Sequence, residues 1–528
     1  MIRQEIINLI ENSVHGLQRN KKIPEVKLPW PKVESPEREN LGDYSSNIAL
    51  VISSILGKNP MEIAGLIKSE ICAEKQELFE GVKTVEPGFI NFSLSKDCLR
   101  NCIIEILREK DKFGCLSIGK GKKVNVEFIS ANPTGPLHIG NCRGGFCGDV
   151  LANALKKAGY EVFREYYVND RGTQVKKILK LSLEGKEGGY KGAYIDDLRK
   201  RGIKNPEIAV KVIFEEIIKP TLERMKIKFD RYFFESDLYK NKETEKALEI
   251  LKKKNLVYEK DKALWFRSSE FGDEKDRVLI KTDGQGTYFL SDIAYLKNKF
   301  ERGFDYLIFF WGAEHHGYIK RVKAAAKAFG YSEEKVIPLI VQLVKLTEKG
   351  KEVKMSKRAG QYITVDELIK EVGIDVARFF FLERSYDKHL VFNLDLAKEQ
   401  SQKNPVYYIQ YAYARISSVL RNAGMKKTKT DYFEKDIHLL KEKDEISLIK
   451  KLIKLPEIVE DVAGDYQVHR IAHYTLELAD SFHRFYQKHR ILNSDKKLTR
   501  ARLALILATK IVFKNTLDIM GISAPEKM

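Results

Sequence analysis

The pattern that most restricts the fold of this chain is a buried strand, a loop, a helix and a second strand in immediate succession. An apolar run at 124–129 predicts the first strand, and residues 130–136, rich in Pro, Asn and Gly, predict the loop. Apolar side chains recur at helical spacing over about 141–158, Gly159 caps that helix, and 162–168 is the second strand. This βαβ order indicates a Rossmann-like parallel sheet that binds nucleotides at the carboxyl end of its first strand.

The rest of the chain predicts a multidomain α/β protein. Further parallel-sheet strands are expected at 278–280, 306–311 and 336–346. The stretch at about 170–275 is highly charged and mostly helical, which is typical of an insertion. We therefore expect a Rossmann-like catalytic domain at 116–394 with this helical insertion, between an N-terminal α+β domain at 1–115 and a C-terminal all-α helical bundle at 395–528.

Charge and cysteine content narrow the classes of function. The 93 Lys and Arg exceed the 74 Asp and Glu, giving a formal net charge of +19, which attracts polyanions such as nucleic acid, although a solvated basic surface is the competing interpretation. All six cysteines lie within the first 147 residues without CxxC spacing, so neither a disulfide framework nor a zinc site is expected. No apolar segment is long enough to span a membrane and no export signal opens the chain, so we expect a cytoplasmic protein.

Two short segments carry the chemistry. The first, Pro-Leu-His-Ile-Gly-Asn at 136–141, places His138 at the strand-to-helix turn, beside helix amides that favour phosphate. The second, Lys-Met-Ser-Lys-Arg at 354–358, follows the last predicted sheet strand and offers point charges for a transferring phosphate. A structural histidine and a solvated charge run are the competing interpretations. Neither a GxxxxGK[ST] loop nor a correctly placed GxGxxG is present, which disfavours the P-loop and dinucleotide classes.

The pair resembles the two ATP signatures of class I aminoacyl-tRNA synthetases, usually written HIGH and KMSKS. This chain has HIGN and KMSKR, so Asn141 departs from the family pattern. Further blocks in the same order are similar to arginyl-tRNA synthetases: 126–138, 164–170, 281–284, 287–289 with Asp292, 312–318, 410–415 and 521–525. The resemblance implies ATP-dependent ligation of L-arginine to its tRNA through an arginyl-adenylate, with adenylate formation requiring bound tRNA.

The resemblance also implies roles for individual residues. Catalysis falls to His138, Asn141, Lys354 and Lys357, and ATP binding to these residues with Pro136, Gly140, Met355 and Ser356. The implied arginine pocket consists of Glu127, Asn132, Tyr288, Asp292 and Glu314. The implied tRNA contacts are Asn91, Phe92, Tyr408 and Tyr411. ATP enters with Mg²⁺ as a substrate complex, no tightly bound cofactor or protein-held metal is expected, and the chain is expected to act as a monomer.

Several alternatives remain open at this point. Asp292 is alternatively a helix cap or a surface carboxylate, and the tyrosines are alternatively core residues. The adjacent His315 and His316 are expected to point to opposite faces of a strand, with one lining the site. Two rival functions are a class I synthetase for another amino acid and a non-catalytic tRNA-binding paralogue that lost activity through Asn141.

Overall fold

The computed structural model describes residues 1–528 except 26, 28–29, 37, 75–76, 173, 354–362 and 425–430. Its N-terminal part is α+β, as predicted, with a four-stranded antiparallel sheet in the order β1-β2-β4-β3. The elements are α1 (Ile2–Arg19), β1 (Val33–Glu34), β2 (Tyr44–Ser46), α2 (Ile48–Leu56), α3 (Pro60–Glu74), β3 (Phe79–Val85), β4 (Phe89–Leu94) and α4 (Lys96–Glu109). Helix α1 forms because its apolar residues recur every three to four positions and bury one face.

The next part of the chain opens with the predicted βαβ unit and continues into a region rich in short helices. Its elements are β5 (Lys123–Glu127), α5 (Ile139–Lys157), β6 (Glu161–Val168), α6 (Lys180–Glu184), α7 (Ala193–Lys200), α8 (Pro206–Val212), α9 (Lys219–Arg224), β7 (Arg231–Phe234), α10 (Glu235–Lys240), α11 (Glu243–Lys253), β8 (Val257–Lys260), β9 (Ala263–Phe266) and β10 (Arg277–Ile280). The βαβ prediction is therefore confirmed.

Residues 288–398 complete the α/β part. They form α12 (Tyr288–Glu301), β11 (Tyr306–Gly312), α13 (Ile319–Phe329), β12 (Val336–Val341), β13 (Val344–Glu348), β14 (Lys351–Glu352), α14 (Val365–Val372), α15 (Ile374–Leu382), β15 (Leu390–Asn393) and α16 (Leu394–Lys398). The central sheet has the order β12-β11-β5-β6-β7 and is parallel throughout. Strand β5 lies at its centre, so the loop after β5 opens at the middle of the carboxyl edge.

The structure differs from the sequence prediction in several strands. Val278 and Ile280 lie in β10, which pairs antiparallel with β9 in a separate sheet rather than joining the parallel one. The predicted strand at 336–346 is two strands, β12 in the parallel sheet and β13 in a small sheet with β14 and β15. The segment predicted as a mostly helical insertion contains β7, a four-residue strand at the edge of the parallel sheet, and also β8 and β9, which form the separate sheet with β10.

The C-terminal part is helical, as predicted. Its helices are α17 (Pro405–Asn422), α18 (Asp431–Glu434), α19 (Lys443–Leu452), α20 (Leu455–Asp465), α21 (His469–Lys488) and α22 (Lys496–Met520). Helix α22 packs against α4, α5, α17 and α21, and so joins the helical part to both other parts.

The end of α22 is fixed to the α/β part by the fully buried Arg378. Its guanidinium donates to the carbonyls of Met520 at 2.8 Å and Met225 at 2.9 Å and pairs with the carboxylate of Asp149 on α5. Gly521 ends α22 at φ +66°, and an added Cβ there would lie 2.5 Å from the guanidinium. Glycine is therefore required twice over, by the backbone and by the arginine.

Candidate active site

The loop after β5 is held in an unusual conformation. Ile129 and Ser130 have φ of +67° and +40°, which side-chain-bearing residues, and β-branched ones above all, seldom adopt. The Ser130 hydroxyl stabilises the turn by accepting a hydrogen bond from the backbone of Tyr167 at 3.0 Å and donating to Glu127 at 3.2 Å. Such local strain is found at ligand-binding loops, and here it occurs at the middle of the sheet's carboxyl edge.

His138 caps the helix that follows this loop. Its Nδ1 accepts a hydrogen bond from the Gly140 amide at 3.1 Å, and the Asn141 side-chain oxygen accepts one from the His138 amide at 3.0 Å. This reciprocal pair is a capping box, so Asn141 has a defined structural role. Because Nδ1 accepts, the neutral ring carries its hydrogen on Nε2.

The segment around His138 pairs through the main chain with residues 363–365. The Ile139 amide donates to the Ile363 carbonyl at 3.2 Å, and the Val365 amide donates to the Leu137 carbonyl at 2.9 Å. His138 and Thr364 face each other across this antiparallel bridge. The predicted residues Lys354, Met355, Ser356 and Lys357 lie outside the described residues, but the described chain resumes at 363 directly beside His138.

Three carboxylates lie at the same edge of the sheet. Glu127 ends β5 and is buried, and Asp292 lies on the first turns of α12, where it accepts a hydrogen bond from the Tyr318 hydroxyl. Burial raises the pKa of Asp292 to about 7, and the negative charges of Glu235 and Glu127 add to that rise against the Tyr318 hydrogen bond. A pocket whose carboxylate is this reluctant to ionise favours a cationic ligand that restores the charge.

Glu235 was not predicted from the sequence. It is the first residue of α10, directly after β7, and is 3 % exposed. Burial and nearby Asp170 raise its pKa, while hydrogen bonds from Ser291 and Tyr167 and the charge of Arg171 oppose the rise. One sequence signal could have indicated it. The aromatic run Tyr232 to Phe234 is typical of a strand, and Glu235 directly follows it, so Glu235 lies at a strand end as Glu127 does.

The other three residues predicted for the pocket differ in how deeply they are buried. Asn132 lies in the strained loop, half-buried, and its carbonyl accepts from Thr134 at 2.8 Å. Tyr288, 53 % exposed, begins α12 with its hydroxyl against Gly172, where a Cβ would lie 2.5 Å away. The Glu314 side chain is 71 % exposed and lies 3.6 Å from His315. In the part of the chain that the structure describes, no contact joins Glu314 to Glu127 or Asp292.

The expectation for the adjacent histidines was wrong in its premise. Both His315 and His316 lie in a 3₁₀ helix, Ala313–Tyr318, so the alternation of a strand does not apply to them. His315 instead packs its ring near Trp311 and Tyr318, at centroid distances of 6.0 and 6.3 Å. The same helix brings Tyr318 to Asp292.

The predicted tRNA contact at Phe92 is not compatible with its position. Phe92 is fully buried and packs against Phe79 with ring centroids 5.2 Å apart, so its side chain presents no surface. Asn91 is 5 % exposed, and its side-chain oxygen accepts a hydrogen bond from Ser45 at 2.7 Å. The resemblance pointed to this strand, but the side chains of both residues are buried.

Tyr408 and Tyr411 lie half-buried on α17 among other aromatic side chains. Tyr408 packs on His483 at 4.4 Å, and Arg415 lies over the rings of Tyr411 at 4.4 Å and Tyr486 at 4.7 Å. Tyr486 in turn lines a groove of about 550 Å³ between the ends of α17 and α21. The groove is lined by Val419, Asn422, Tyr486, Gln487, Lys488, His489, Arg490, Ile491 and Leu492. Aromatic and basic side chains of this kind suit unstacked nucleic-acid bases.

Within the described ranges, no group of three or more His, Cys, Asp or Glu side chains is arranged to hold a metal ion. No helix in those ranges has the length and apolar character needed to cross a membrane.

Three family models match successive parts of the chain. The arginyl tRNA synthetase N terminal domain matches 4–94, the catalytic domain of class I (R) tRNA synthetases matches 102–200 and 193–418, and the DALR anticodon binding domain matches 409–528. Curated relatives include Arginine–tRNA ligase of Carboxydothermus hydrogenoformans, 44 % identical with 94 % of each chain covered, and that of Listeria monocytogenes serovar 1/2a, 42 % identical with 100 % of each covered.

Solved structures agree with this grouping. A Campylobacter jejuni structure assigned as an arginyl-tRNA synthetase is 35 % identical, covers 82 % of this chain and 100 % of its own, and has a TM-score of 0.75. Arginyl-tRNA synthetase of Thermus thermophilus, at 23 % identity, covers both chains fully with a TM-score of 0.80 and supports the fold alone.

Proposed function

The chain belongs to the arginyl-tRNA synthetase family and ligates L-arginine to its tRNA with ATP, and from that premise we propose which residues carry the reaction. Arginine's carboxylate attacks the α-phosphorus of ATP, pyrophosphate leaves, and a ribose hydroxyl of the terminal adenosine then attacks the arginyl-adenylate. The enzyme supplies placement and charge rather than a nucleophile.

The observation that carries the pocket assignment is the cluster of Glu127, Asp292 and Glu235 at the edge of the sheet. A guanidinium presents a planar fork of donors that carboxylates accept in pairs, and its charge offsets the burial and the smaller repulsion that raise the pKa of Asp292. Asn132, in the loop after β5, is proposed to bind the polar end of arginine, and Tyr288 is proposed to cover it. Lysine would leave part of this acceptor set unpaired, so discrimination needs no separate editing site.

ATP is proposed to bind where α5 begins. The positive end of the α5 dipole and the imidazole of His138 are proposed to stabilise the charge that develops on phosphate, with Pro136 and Gly140 shaping the turn. Lys354, Met355, Ser356 and Lys357 are proposed to close on the phosphates from the segment that ends beside His138. Mg²⁺ is proposed to enter on the ATP oxygens as part of the substrate.

Asn141 permits a test that separates capping from charge. Asn141→Ala removes the acceptor for the His138 amide and is expected to destabilise the start of α5 by about 1 kcal/mol. Asn141→Asp keeps the acceptor but adds negative charge beside the phosphates, so it is expected to raise the KM for ATP while leaving stability unchanged. Thermal unfolding and ATP-dependent charging measure the two effects. An equal rise in KM for both variants would contradict the separation.

The groove beside Tyr486 is proposed as the site for anticodon bases, with Tyr411 and Tyr408 supporting it from α17. Tyr486→Ala is expected to raise the KM for tRNA about tenfold, because base stacking on an aromatic ring contributes about 1–3 kcal/mol. The KM for arginine should stay unchanged. The matched control is Tyr407→Ala. Tyr407 is a half-buried residue of α17 that stacks on Tyr411 but does not line the groove. Similar tRNA constants for both variants would remove the groove from the proposal.

The wider context follows from the reaction. We propose domains at 1–115, 116–394 and 395–528, a monomer, because no step proposed above uses a second copy, and the cytoplasm, where tRNA is charged. The decisive experiment is charging of a tRNA pool with each amino acid. Arginine alone should be incorporated, with release of AMP and pyrophosphate. The non-catalytic paralogue predicts tRNA binding without any charging.

A further inference from the structure

Lys299 lies behind the proposed arginine pocket and is completely buried on α12. Its Nζ donates to the side-chain oxygen of Asn125 at 2.5 Å and to Glu127 at 2.8 Å, and it lies 3.3 Å from Glu165. These acceptors stand on β5 and β6, so one ammonium group joins α12 to two central strands of the sheet. The rings of Tyr295 and Phe309 enclose it at 4.5 and 4.6 Å.

Burial of an ammonium group is unfavourable unless every hydrogen finds an acceptor. Here Nζ makes hydrogen bonds to Asn125 and Glu127 and an ion pair with Glu165, so one neutral and two charged oxygens surround it. A well-packed apolar side chain would often stabilise such a position as well or better. Stability alone therefore does not account for a charge at this place, and its partners suggest a second role.

The two carboxylates do not depend on Lys299 equally. Arg302 holds Glu165 through two hydrogen bonds of 2.5 and 2.8 Å, and Tyr295 donates to it at 2.6 Å. Burial would raise the pKa of Glu165, but the charge of Lys299 and the contacts of Arg302 lower it to about 2. Since Arg302 already neutralises Glu165, Lys299 is the described cation in contact with Glu127.

Glu127 is thereby fixed at both oxygens. Oε2 accepts from Lys299 and Oε1 accepts from Ser130 at 3.2 Å, in the strained loop. The titratable groups around it are Lys299, Asp292 and Tyr295 of α12 and Glu165 and Tyr167 of β6, with Glu235 of α10 and Tyr318 beyond Asp292. Among these carboxylates and phenols, Lys299 is the described cation that bonds to Glu127 and so fixes its orientation.

We propose that Lys299 is a positioning residue for arginine recognition, which holds the Glu127 carboxylate in the orientation that meets the cationic substrate. The proposal rests on the proposed function, because it assigns no new ligand and explains how one wall of the arginine pocket is fixed in place. Glu165, Arg302 and Asn125 form the support that holds Lys299 itself.

The test is arginine-dependent charging by Lys299→Met. Loss of a charged hydrogen bond of about 1.5–3 kcal/mol predicts a KM for arginine raised roughly ten- to hundredfold at neutral pH, with a smaller change in kcat. Lys299→Arg should restore most of the affinity, and Lys299→Gln, which keeps donors without charge, should not.

Lys297→Met is the matched control. Lys297 lies on the same helix, is 4 % exposed and pairs with Glu301 at 2.6 Å, away from the pocket. It should lose stability without a change in the KM for arginine. A wild-type KM for arginine in Lys299→Met, or the same rise in Lys297→Met, would overturn the proposal. If Lys299→Met does not fold, Lys299→Gln and Lys299→Arg with equal KM values overturn it as well. Absence of arginine charging by the wild-type chain would instead reject the proposed function.

Discussion

Asp292→Asn is expected to raise the KM for arginine roughly a hundredfold or more, because removal of one partner from a buried charge pair costs about 2–5 kcal/mol. Asparagine keeps the shape of the side chain and an oxygen that accepts from Tyr318, so the pocket should stay intact. What is lost is the charge that faces the guanidinium. tRNA affinity, measured by filter binding, should remain near its wild-type value.

The same substitution has a predictable effect on stability. The pKa of Asp292 is raised to about 7 in the folded chain, above an unfolded value of about 3.9. The folded state therefore binds this proton more tightly, and the resulting stabilisation is present below pH 4 and lost as the pH rises through 7. At pH 8 Asp292→Asn should unfold at a higher temperature than the wild type, and at pH 4 the two should converge.

Glu301→Gln is the control for Asp292→Asn, since it neutralises a carboxylate on the same helix that pairs with Lys297. It should leave the KM for arginine unchanged. A parallel loss of tRNA affinity and thermal stability in Asp292→Asn would show a folding role instead. In the wild type, the KM for arginine should fall as the pH rises from 6 to 8, because the ionised form of Asp292 is the one that binds.

Arg378→Met is expected to give the largest loss of stability, about 3–5 kcal/mol, because it removes the nearest cation from the buried carboxylate of Asp149 and leaves Arg164 at the longer distance of 3.6 Å. The carbonyls of Met520 and Met225 lose their donor as well. Since Met520 ends α22, the C-terminal helices should detach from the α/β part at a lower temperature than the rest unfolds. Thermal unfolding followed with limited proteolysis measures both events.

Arg224→Met is the matched control for this joint. Arg224 also pairs with a carboxylate, Asp366, but half of its side chain is exposed, so its loss should change stability by less than about 1 kcal/mol. Equal effects of the two variants would mean that burial is not what makes Arg378 important. Gly521→Ala, which places a Cβ against the guanidinium, should resemble Arg378→Met in direction.

The sequence predicted the parts of the fold in which local pattern and burial coincide. Strand β5, helix α5 and strand β6 were predicted from apolar patterns that are clearly bounded by a loop rich in Pro, Asn and Gly and by Gly159. Strand β7 was missed because it is four residues long and half-exposed, and lies among charged helices. Residues 278–280 were assigned to the wrong sheet, since an apolar triplet does not reveal the direction of its partner.

The site divides in the same way. The resemblance indicated Glu127 and Asp292, which the structure places at one edge, whereas Glu235 and Lys299 gain their positions only through tertiary packing. Phe92 illustrates the opposite error, because a match to a family region does not say which side chains of a strand face outward. The role of Asn141 could not be predicted from the sequence. The sequence shows only that Asn141 differs from the family motif, whereas the structure shows that its side chain caps α5.

The bridge between Leu137 and Val365 is built only from main-chain atoms, and this has a practical consequence for protein engineering. Amide and carbonyl groups are the same in nearly every residue, so the side chains on both sides of this bridge can be exchanged without loss of its hydrogen bonds. The bridge does not tolerate a change in the number of residues, because one inserted residue would shift the following amides and carbonyls away from their partners. Libraries that vary the two segments proposed to bind ATP should therefore change the residue types and keep the number of residues constant.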